Sequence, residues 1–435
     1  MTRAWQDTTT AGPPGNTPCR KRLHSVAFLG MVTNASPVPV EKNETRPLRL
    51  GLVGNGNRGV IARKAVEADP AAAVVAVADP HPRAQARAIE RFGARVAVHE
   101  AVEGLLDHEL DAAFVTSLDH QHAEHAIVLM RAGVDVFVDK PMATTVADAD
   151  RMLRTARETG SRLYVGHNMR HMPVIALMRR LVEQGRIGQV KAVWCRYFVG
   201  DGGDRFFKDW HAERAHVNSL LLQKGAHDID VIHWIAGGYT RRVSAMGALT
   251  VYGEVTDRED RTGQMVTEWL DRDKNWPPLA QRGLNPVVDV EDLSMMTMRL
   301  DNGVYATYSE CHFTPDYWRN YTIIGTEGRI ENFGLGDGGV VRLWNRRTEY
   351  AERGHEEFPI PEAPGGHHGA DPSLLREFLA FVRTGAPTRT SAVAAREAVA
   401  TAATATTSMR TDSSALDVPE LDPELRRYFD AGQPR

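Results

Sequence analysis

Hydrophobic and polar positions follow two different rhythms along this chain. Leu48 to Val53 is a short apolar strand pattern, and Val60 to Val66 reads as a helix. Ala73 to Ala78 is a continuous apolar run, as expected of a strand buried on both faces. The alternation continues with a helix over Ala84 to Phe92, a short strand at Val96 to Val98 and a strand over Asp111 to Ser117. A helix over Ala123 to Ala132, a strand at Val134 to Val138, a helix over Val146 to Glu158 and a strand at Arg162 to Gly166 complete it. Alternating β and α segments of this length predict an α/β Rossmann domain, a doubly wound parallel sheet.

After Met172 the rhythm changes. A helix over Val174 to Gly185 leads into a strand over Val190 to Val199. Apolar residues at 221, 222, 226, 229, 231 and 232 predict one amphipathic helix over Leu220 to Ile235. Strand patterns follow at Arg242 to Tyr252, Leu293 to Leu300, Gly303 to Phe313, Tyr321 to Ile324 and Val340 to Trp344. They predict an α+β C-terminal domain with a large, mainly antiparallel open sheet. Helices over Leu374 to Val382 and over the Ala-rich stretch Val393 to Met409 close the chain.

Two stretches break the pattern. Residues 1–47 hold Thr and Pro clusters without periodicity and are expected to be a disordered N-terminal extension. Within them, Arg20-Lys21-Arg22 followed by Val26 to Val32 resembles a weak export signal, but the apolar run is short. Met31 is an alternative start, so the extension reads as a tail or a start-site artefact. Glu254 to Val287 is polar, contains Trp269, Trp276 and Pro277-Pro278, and reads as an insertion. A loop this long is usually functional or disordered; it is expected to border the substrate cleft or a subunit contact. The expected organisation is therefore 1–47 extension, 48–170 dinucleotide-binding domain, and 171–435 substrate-binding and oligomerisation domain.

Composition narrows the function. Lys plus Arg number 52 and Asp plus Glu 56, a net charge of −4. That balance argues against nucleic acid or a polybasic membrane surface as partner. Apolar runs fall well short of the ~20 residues of a membrane helix. The three cysteines, Cys19, Cys195 and Cys311, are scattered, with no CxxC pair. A cysteine zinc site is excluded, and a reducing, cytoplasmic compartment fits best.

Between the first strand and helix stands Gly54-Asn55-Gly56-Asn57-Arg58-Gly59. Strand and helix on either side are the context that gives GxGxxG meaning. Gly54 allows the tight turn, Gly56 lets backbone approach a pyrophosphate, and Gly59 lets helix pack on strand. The helix N-terminus offers N–H groups and a positive dipole end to the phosphates. Asp79 ends the second strand, placed to accept hydrogen bonds from an adenosine ribose and to repel a 2′-phosphate. NAD is therefore expected over NADP, although Arg83 nearby could tolerate the phosphate. The next strands end in Ser117-Leu118-Asp119-His120-Gln121-His122, Asp139-Lys140-Pro141 and Gly166-His167-Asn168-Met169-Arg170, all on the cofactor edge of such a sheet. Histidines 120, 122 and 125 invite a metal reading, but two lie in a turn and one on a helix, so no metal is expected.

With these motifs in this order the sequence resembles the Gfo/Idh/MocA oxidoreductase family from Leu48 to about Met409. Gly54 to Gly59 matches the family's dinucleotide loop. Ser117 to His122 stands in place of Thr-Pro-Asn-x-x-His, with Leu118 for Pro and His122 kept. Asp139-Lys140-Pro141 matches Glu-Lys-Pro with Asp for Glu. Gln223-Lys224-Gly225-Ala226-His227-Asp228-Ile229-Asp230 resembles Asp-x-Gly-x-His-x-x-Asp, with His227 and Asp230 in register and Gln223 where many members have Asp. The resemblance implies cofactor contacts from Gly54, Gly56, Asn57, Arg58, Gly59, Asp79, Ser117, His122, Lys140 and Pro141. It implies a homodimer or homotetramer formed through the open sheet face.

Oxidising a secondary alcohol requires an acceptor for the hydroxyl proton, and His suits that near neutral pH. A cationic Lys beside the same oxygen stabilises developing alkoxide. His227 is thus the expected acid/base and Lys140 its electrostatic partner. Asn168, Arg170, Gln223, Lys224 and Asp230 are expected on the substrate side. Trp210 and His211 suit the apolar face and hydroxyls of a sugar, as do Tyr317 and Trp318; for both pairs a core or interface role is the alternative. Gly365 to Asp371 either reaches the active site or is a glycine loop with Asp371 near a helix N-cap. The leading expectation is an NAD-dependent oxidoreductase acting on a sugar, glycoside or cyclitol. A redox-neutral glycosidase or lyase using transient oxidation is the first alternative, raised by Gln223 and the insertion. A non-catalytic NAD-binding regulator is the second.

Overall fold

The computed structural model describes residues 47–271 and 274–434. The expected disordered extension and the export-like stretch lie outside the described residues, apart from Pro47. The first strands and helices are β1 (Leu48–Val53), α1 (Val60–Ala68), β2 (Ala72–Ala78), α2 (Pro82–Phe92) and β3 (Ala97–His99). They are followed by β4 (Ala112–Val115), α3 (His122–Arg131), β5 (Asp135–Val138), α4 (Val146–Thr159) and β6 (Leu163–Val165). The six strands form one parallel sheet in the order β3-β2-β1-β4-β5-β6. The order reverses between β1 and β4, the switch point at which open α/β sheets bind ligands.

Register sets where the chemistry gathers. Val53 pairs with Ala78 and Val115, Val115 with Val138, and Val138 with Val165. The last residues of five strands thus lie in one row, and Gly54, Asp79, Thr116, Asp139 and Gly166 leave the sheet together. Every strand residue of β4 and β5 is buried, which explains their unbroken apolar character.

The chain then runs through α5 (Pro173–Glu183), β7 (Val190–Phe198), α6 (Gly202–Phe206), α7 (Arg214–Val217), α8 (Leu220–Gln223) and α9 (Gly225–Ala236). The strands β8 (Thr240–Ala248), β9 (Leu293–Leu300), β10 (Tyr305–Cys311), β11 (Trp318–Gly325), β12 (Arg329–Phe333), β13 (Val340–Trp344) and β14 (Glu356–Pro359) follow. Last come α10 (Ala370–Thr384), α11 (Ala392–Arg410), β15 (Leu416–Asp417) and α12 (Pro423–Asp430). The second sheet has nine strands in the order β14-β13-β12-β11-β7-β10-β9-β8-β15. All its pairs are antiparallel except β7 with β10.

One expected element is corrected. Leu220 to Ile235 is not a single helix; it breaks at Lys224 into α8 and α9. Ser219 caps α8 by accepting from the Leu222 N–H at 3.1 Å. Helix restarts at Gly225, which lies flat against the sheet: a Cβ there would sit 3.0 Å from the Tyr308 ring. The break turns Gln223 and Lys224 toward the first domain.

Late segments return to the parallel sheet. Phe378 of α10 packs on Phe114 and Phe137, with ring centroids 5.2 and 5.3 Å away. Gln433 spans the free edge of β6, accepting from the Leu163 N–H at 2.8 Å and donating to its carbonyl at 3.0 Å. An edge strand left open would present unpaired backbone groups; one side chain satisfies both.

Candidate functional site

A cavity of about 1470 Å³ opens along the carboxyl ends of the parallel strands and is closed on the other side by the second domain. It begins at the glycine turn. Gly54 has φ +84°, and a Cβ there would meet the Ser117 N at 2.6 Å. A Cβ on Gly59 would lie 2.9 Å from the Asn55 Cα, so only glycine lets the helix start this close to the turn. At Gly56 the space is open: nothing lies within 4 Å of a Cβ position, and the residue faces the cavity. No side chain caps α1, and its first turn holds no acidic residue. The backbone thus presents uncapped N–H groups to open space, a cradle that suits a pyrophosphate.

Asp79 stands at the end of β2. Its carboxylate accepts from the Asn55 N–H at 2.7 Å and the His81 N–H at 2.9 Å. These bonds fix it against the glycine turn, facing the cavity with His81. Arg58 is held elsewhere than the sequence suggests. Its Nε donates to Asp139 at 2.7 Å, and its Nη1 lies 3.8 Å from Asp371. Burial works against its charge, but Asp139 and Asp371 outweigh it and raise its pKa. Asn57 and Ser117 line the cavity, and the Ser117 hydroxyl pairs with His125 Nδ1 at 2.9 Å.

His122 has both ring nitrogens against carbonyls, Pro141 O at 2.8 Å and Ser117 O at 3.1 Å. It ties the turn after β4 to the turn after β5, and Pro141 takes part through that carbonyl alone. The three histidines of this turn have three different partners. His120 stacks on His216 with centroids 4.8 Å apart, His122 bridges carbonyls and His125 meets Ser117. Among the described residues no group of three or more His, Cys, Asp or Glu is arranged to hold a metal ion.

Lys140 donates to the Gln223 carbonyl at 2.8 Å, joining β5 to the α8–α9 break. Burial lowers its pKa, while Asp119 and Asp139 act to keep the ammonium. Lys224 lies 5.0 Å from the Phe206 ring centroid and 5.8 Å from that of Tyr197. Burial, then Lys140 and Arg319, depress it well below an ordinary lysine. His227 faces the same space. Burial, then Lys140 and Lys224, push its pKa well below 6.5, so the imidazole is neutral at pH 7. Asp119, unassigned by the sequence, is 4% exposed and faces the cavity. Burial raises its carboxyl above the usual range, against the pull of His122, His211 and Lys140.

Three buried polar atoms on these residues have no hydrogen-bond partner among the described residues: Asp119 Oδ2, Gln223 Oε1 and His227 Nδ1. Buried polar atoms are nearly always paired. Asn168 Oδ1, on the same cavity wall, is likewise unpartnered, and these orphans mark where a polar ligand completes the structure.

Trp210 and His211 also line the cavity, stacked 3.7 Å apart, with His211 Nδ1 2.7 Å from the Asp209 carboxylate. Tyr317 faces it, whereas Trp318 does not. Asn168 lines it and donates to Asp371 at 3.1 Å. The turn before α10 reaches the site: Gly366, His367 and Asp371 line the cavity. Asp371 collects His367 at 3.0 Å and Lys64 at 2.9 Å. These partners and Arg58 overcome burial and hold its carboxyl far below the usual range.

Two residues expected on the substrate side lie away from the cavity lining. Arg170 and Asp230 do not line the cavity. They form a buried two-pronged ion pair, both N···O distances 2.7 Å, with His167 Nδ1 3.2 Å from the same carboxylate. Arg170 also donates to the Arg389 carbonyl at 2.8 Å. The pair fixes the segment after β6 to α9 behind the site. The insertion, by contrast, borders the cavity: Arg261, Thr262, Gly263, Gln264, Val266 and Asn285 line it.

The comparisons agree with this geometry. Residues 48–167 match the model of an oxidoreductase family with an NAD-binding Rossmann fold, and residues 179–418 match that family's C-terminal alpha/beta domain. Inositol 2-dehydrogenase of Rhizobium meliloti is 32% identical over 223 residues, 49% of this chain and 62% of that protein. Levoglucosan dehydrogenase of Pseudarthrobacter phenanthrenivorans is 25% identical over 305 residues, 65% of this chain and 73% of that protein. A solved structure of levoglucosan dehydrogenase in complex with NADH and levoglucosan superposes with a TM-score of 0.69 at 21% identity, covering 86% of this chain and 100% of the other. That last likeness is one of fold. The two family models together span both sheets, and the chain belongs to the Gfo/Idh/MocA oxidoreductase family, with an NAD-binding Rossmann domain at its amino-terminal side.

Proposed function

We propose that this NAD-dependent oxidoreductase moves hydride between a secondary hydroxyl of a sugar, glycoside or cyclitol and nicotinamide, with NAD preferred to NADP. The observation that carries the reading is the set of orphaned polar atoms beside Lys140 and Lys224, at the end of a cavity that begins at the glycine cradle. Relatives named for inositol and levoglucosan support the substrate class.

Gly54, Gly56 and Gly59 shape the cradle for the pyrophosphate, with Asn57 beside it. Asp79 receives the adenosine ribose hydroxyls. Arg58 and His122 act as positioning residues, the first aligning Asp139 and the second locking the Ser117 and Pro141 loops. Bound NAD supplies the acceptor for the hydride of the carbinol carbon. His227, neutral at pH 7, takes the hydroxyl proton at a ring nitrogen. The Lys140 ammonium, held by the Gln223 carbonyl, stabilises negative charge on that oxygen. Lys224, the Gln223 amide, Asn168 and Asp119 bind neighbouring hydroxyls. Trp210 and His211 cover the apolar face of the ring.

The test is purified protein with NAD and a panel of sugars and cyclitols, followed by NADH absorbance. Net NADH with at least one, abolished in Lys140→Ala, is the expected result. A second reading has its own observation: position 223 carries an amide, which cannot take a proton from His227. Transient oxidation followed by elimination and hydride return would then give glycoside cleavage without net NADH. NAD binding without turnover on either panel, unchanged by Lys140→Ala, would instead indicate a regulator.

Two further expectations rest on the same reading. The open face of the nine-stranded sheet exposes Trp194, Met246, Met295 and Tyr305, at 46–62%, which supports a homodimer or homotetramer through it; light scattering measures the mass. Cys195 and Cys311 are unpaired, in keeping with a cytoplasmic site of action, which fractionation of the host cell tests.

A further inference from the structure

The insertion between β8 and β9 is built like a strap. Its two ends are stitched together: Glu259 N–H donates to the Leu284 carbonyl at 2.8 Å, Leu284 N–H to the Asp257 carbonyl at 3.0 Å, and Gly283 N–H to the Asp257 carboxylate at 2.7 Å. Its middle is tethered to the second domain. Trp269 is buried, and its indole N–H donates to the Asp204 carbonyl at 2.7 Å. Asn275 donates to the Asp204 carboxylate at 2.7 Å, and Lys208 holds that carboxylate at 2.7 Å. Arg261 lies over the Trp269 ring, 5.6 Å from its centroid.

Between neck and tether the strap crosses to the first domain. Gly263 has φ +78°, and a Cβ there would fall 1.8 Å from His81 Nε2. The positive φ favours glycine there, and any added side chain would have to displace the His81 ring. Three residues later on that side of the cavity stands Val266, and Glu268 sits 3.7 Å from Arg83 at the start of α2. The strap therefore walls the end of the cavity that Asp79 and His81 line. An open α/β sheet alone leaves this end of a dinucleotide crevice exposed to solvent.

We propose that the segment from Asp257 to Glu268 closes over the adenosine half of the bound dinucleotide and slows its release after each turnover. The proposal rests on the NAD reading above and adds a second wall to its site. Gly263 and Gln264 line the same cavity as Asp79. Departure of the cofactor requires the strap to lift, and such gating acts chiefly on the dissociation rate.

The test uses the full chain and NADH as the probe. Nicotinamide fluorescence is followed in a stopped-flow chase with excess NAD. The wild type is expected to release NADH more slowly than either strap variant does. Gly263→Ala, which strains the backbone at a positive φ and crowds the His81 contact, is expected to raise the NADH dissociation rate about tenfold. Glu268→Arg sets two cations against each other at an exposed contact and is expected to raise it about threefold, with Arg83→Glu restoring the slow rate. Dissociation rates within twofold of wild type in both strap variants would overturn the proposal. Failure of the wild type to bind NADH at all would overturn the cofactor reading, and the strap with it.

Discussion

Removing the Arg170 guanidinium distinguishes a structural ion pair from a substrate contact. In Arg170→Met the variant side chain keeps much of the volume but loses both 2.7 Å bonds to Asp230 and the 2.8 Å bond to the Arg389 carbonyl. The two side chains are 7% and 2% exposed, so water does not replace the lost partner. Breaking a buried pair from one side costs about 3–5 kcal/mol, mostly from the charge left unpaired. The compact unit spans about 390 residues; at ~2.1 cal/mol/K per residue its unfolding entropy is about 0.8 kcal/mol/K. A loss of about 4 kcal/mol therefore lowers Tm by about 5 °C. Differential scanning calorimetry measures it. Adding Asp230→Leu should restore most of the loss, because a buried pair exchanged for apolar groups is nearly neutral. A Tm within about 1 °C of wild type, together with a raised KM for the sugar, would refute the reasoning and return Arg170 to the substrate site.

Other expectations follow from single contacts. Lys140→Met should lower kcat about 10²- to 10³-fold while NADH binding, read by fluorescence, persists. Kcat/KM should stay level from pH 7 down past 6.5, because the His227 pKa is depressed and its neutral form persists there; on the alkaline side it should fall before pH 10.5, because the Lys140 pKa is lowered and its cation is lost early. Gly56→Ala should weaken NADH binding about tenfold without changing Tm, since its Cβ enters open cavity; Gly59→Ala should instead destabilise the fold by about 1–3 kcal/mol, since its Cβ meets backbone at 2.9 Å. Asp79→Ala should erase the preference for NAD over NADP in competition binding.

The parallel sheet was legible because most residues of its central strands are buried whichever face they point to. Ala72–Ala78 and Ala112–Val115 read as unbroken apolar runs, and periodicity needs nothing else to find them. The second sheet was legible in its longer strands. β9 and β10 alternate buried residues with less buried ones along their length, whereas β12, β14 and β15 are short and partly polar and escape the pattern. The single helix expected over Leu220 to Ile235 failed for a different reason. Its apolar spacing is real, but the helix breaks at Lys224 where Gly225 packs close to Tyr308, a residue 83 positions away, a contact that no local signal encodes.

The site divides along the same physical line. Gly54, Asp79, Ser117, Lys140 and Asn168 could be gathered from sequence because a doubly wound sheet brings strand ends to one edge whatever the side chains do. What each side chain does there depends on which partner reaches it first. Arg170 and Asp230 carry the charges of a binding site, yet they satisfy each other at 2.7 Å and have nothing left for a ligand. Asp119 is the converse. A carboxyl between Leu118 and His120 in a turn reads as a solvated surface acid. It is buried in the folded chain, where His122, His211 of the second domain and Lys140 after β5 all act on its charge, and these meet only in the fold. Burial then leaves Oδ2 without a donor, and a buried acceptor without a donor is costly unless a ligand supplies one. The sequence reports which groups are present at the strand ends; whether a group is spent on the fold or held free for chemistry is decided by contacts between residues far apart along the chain.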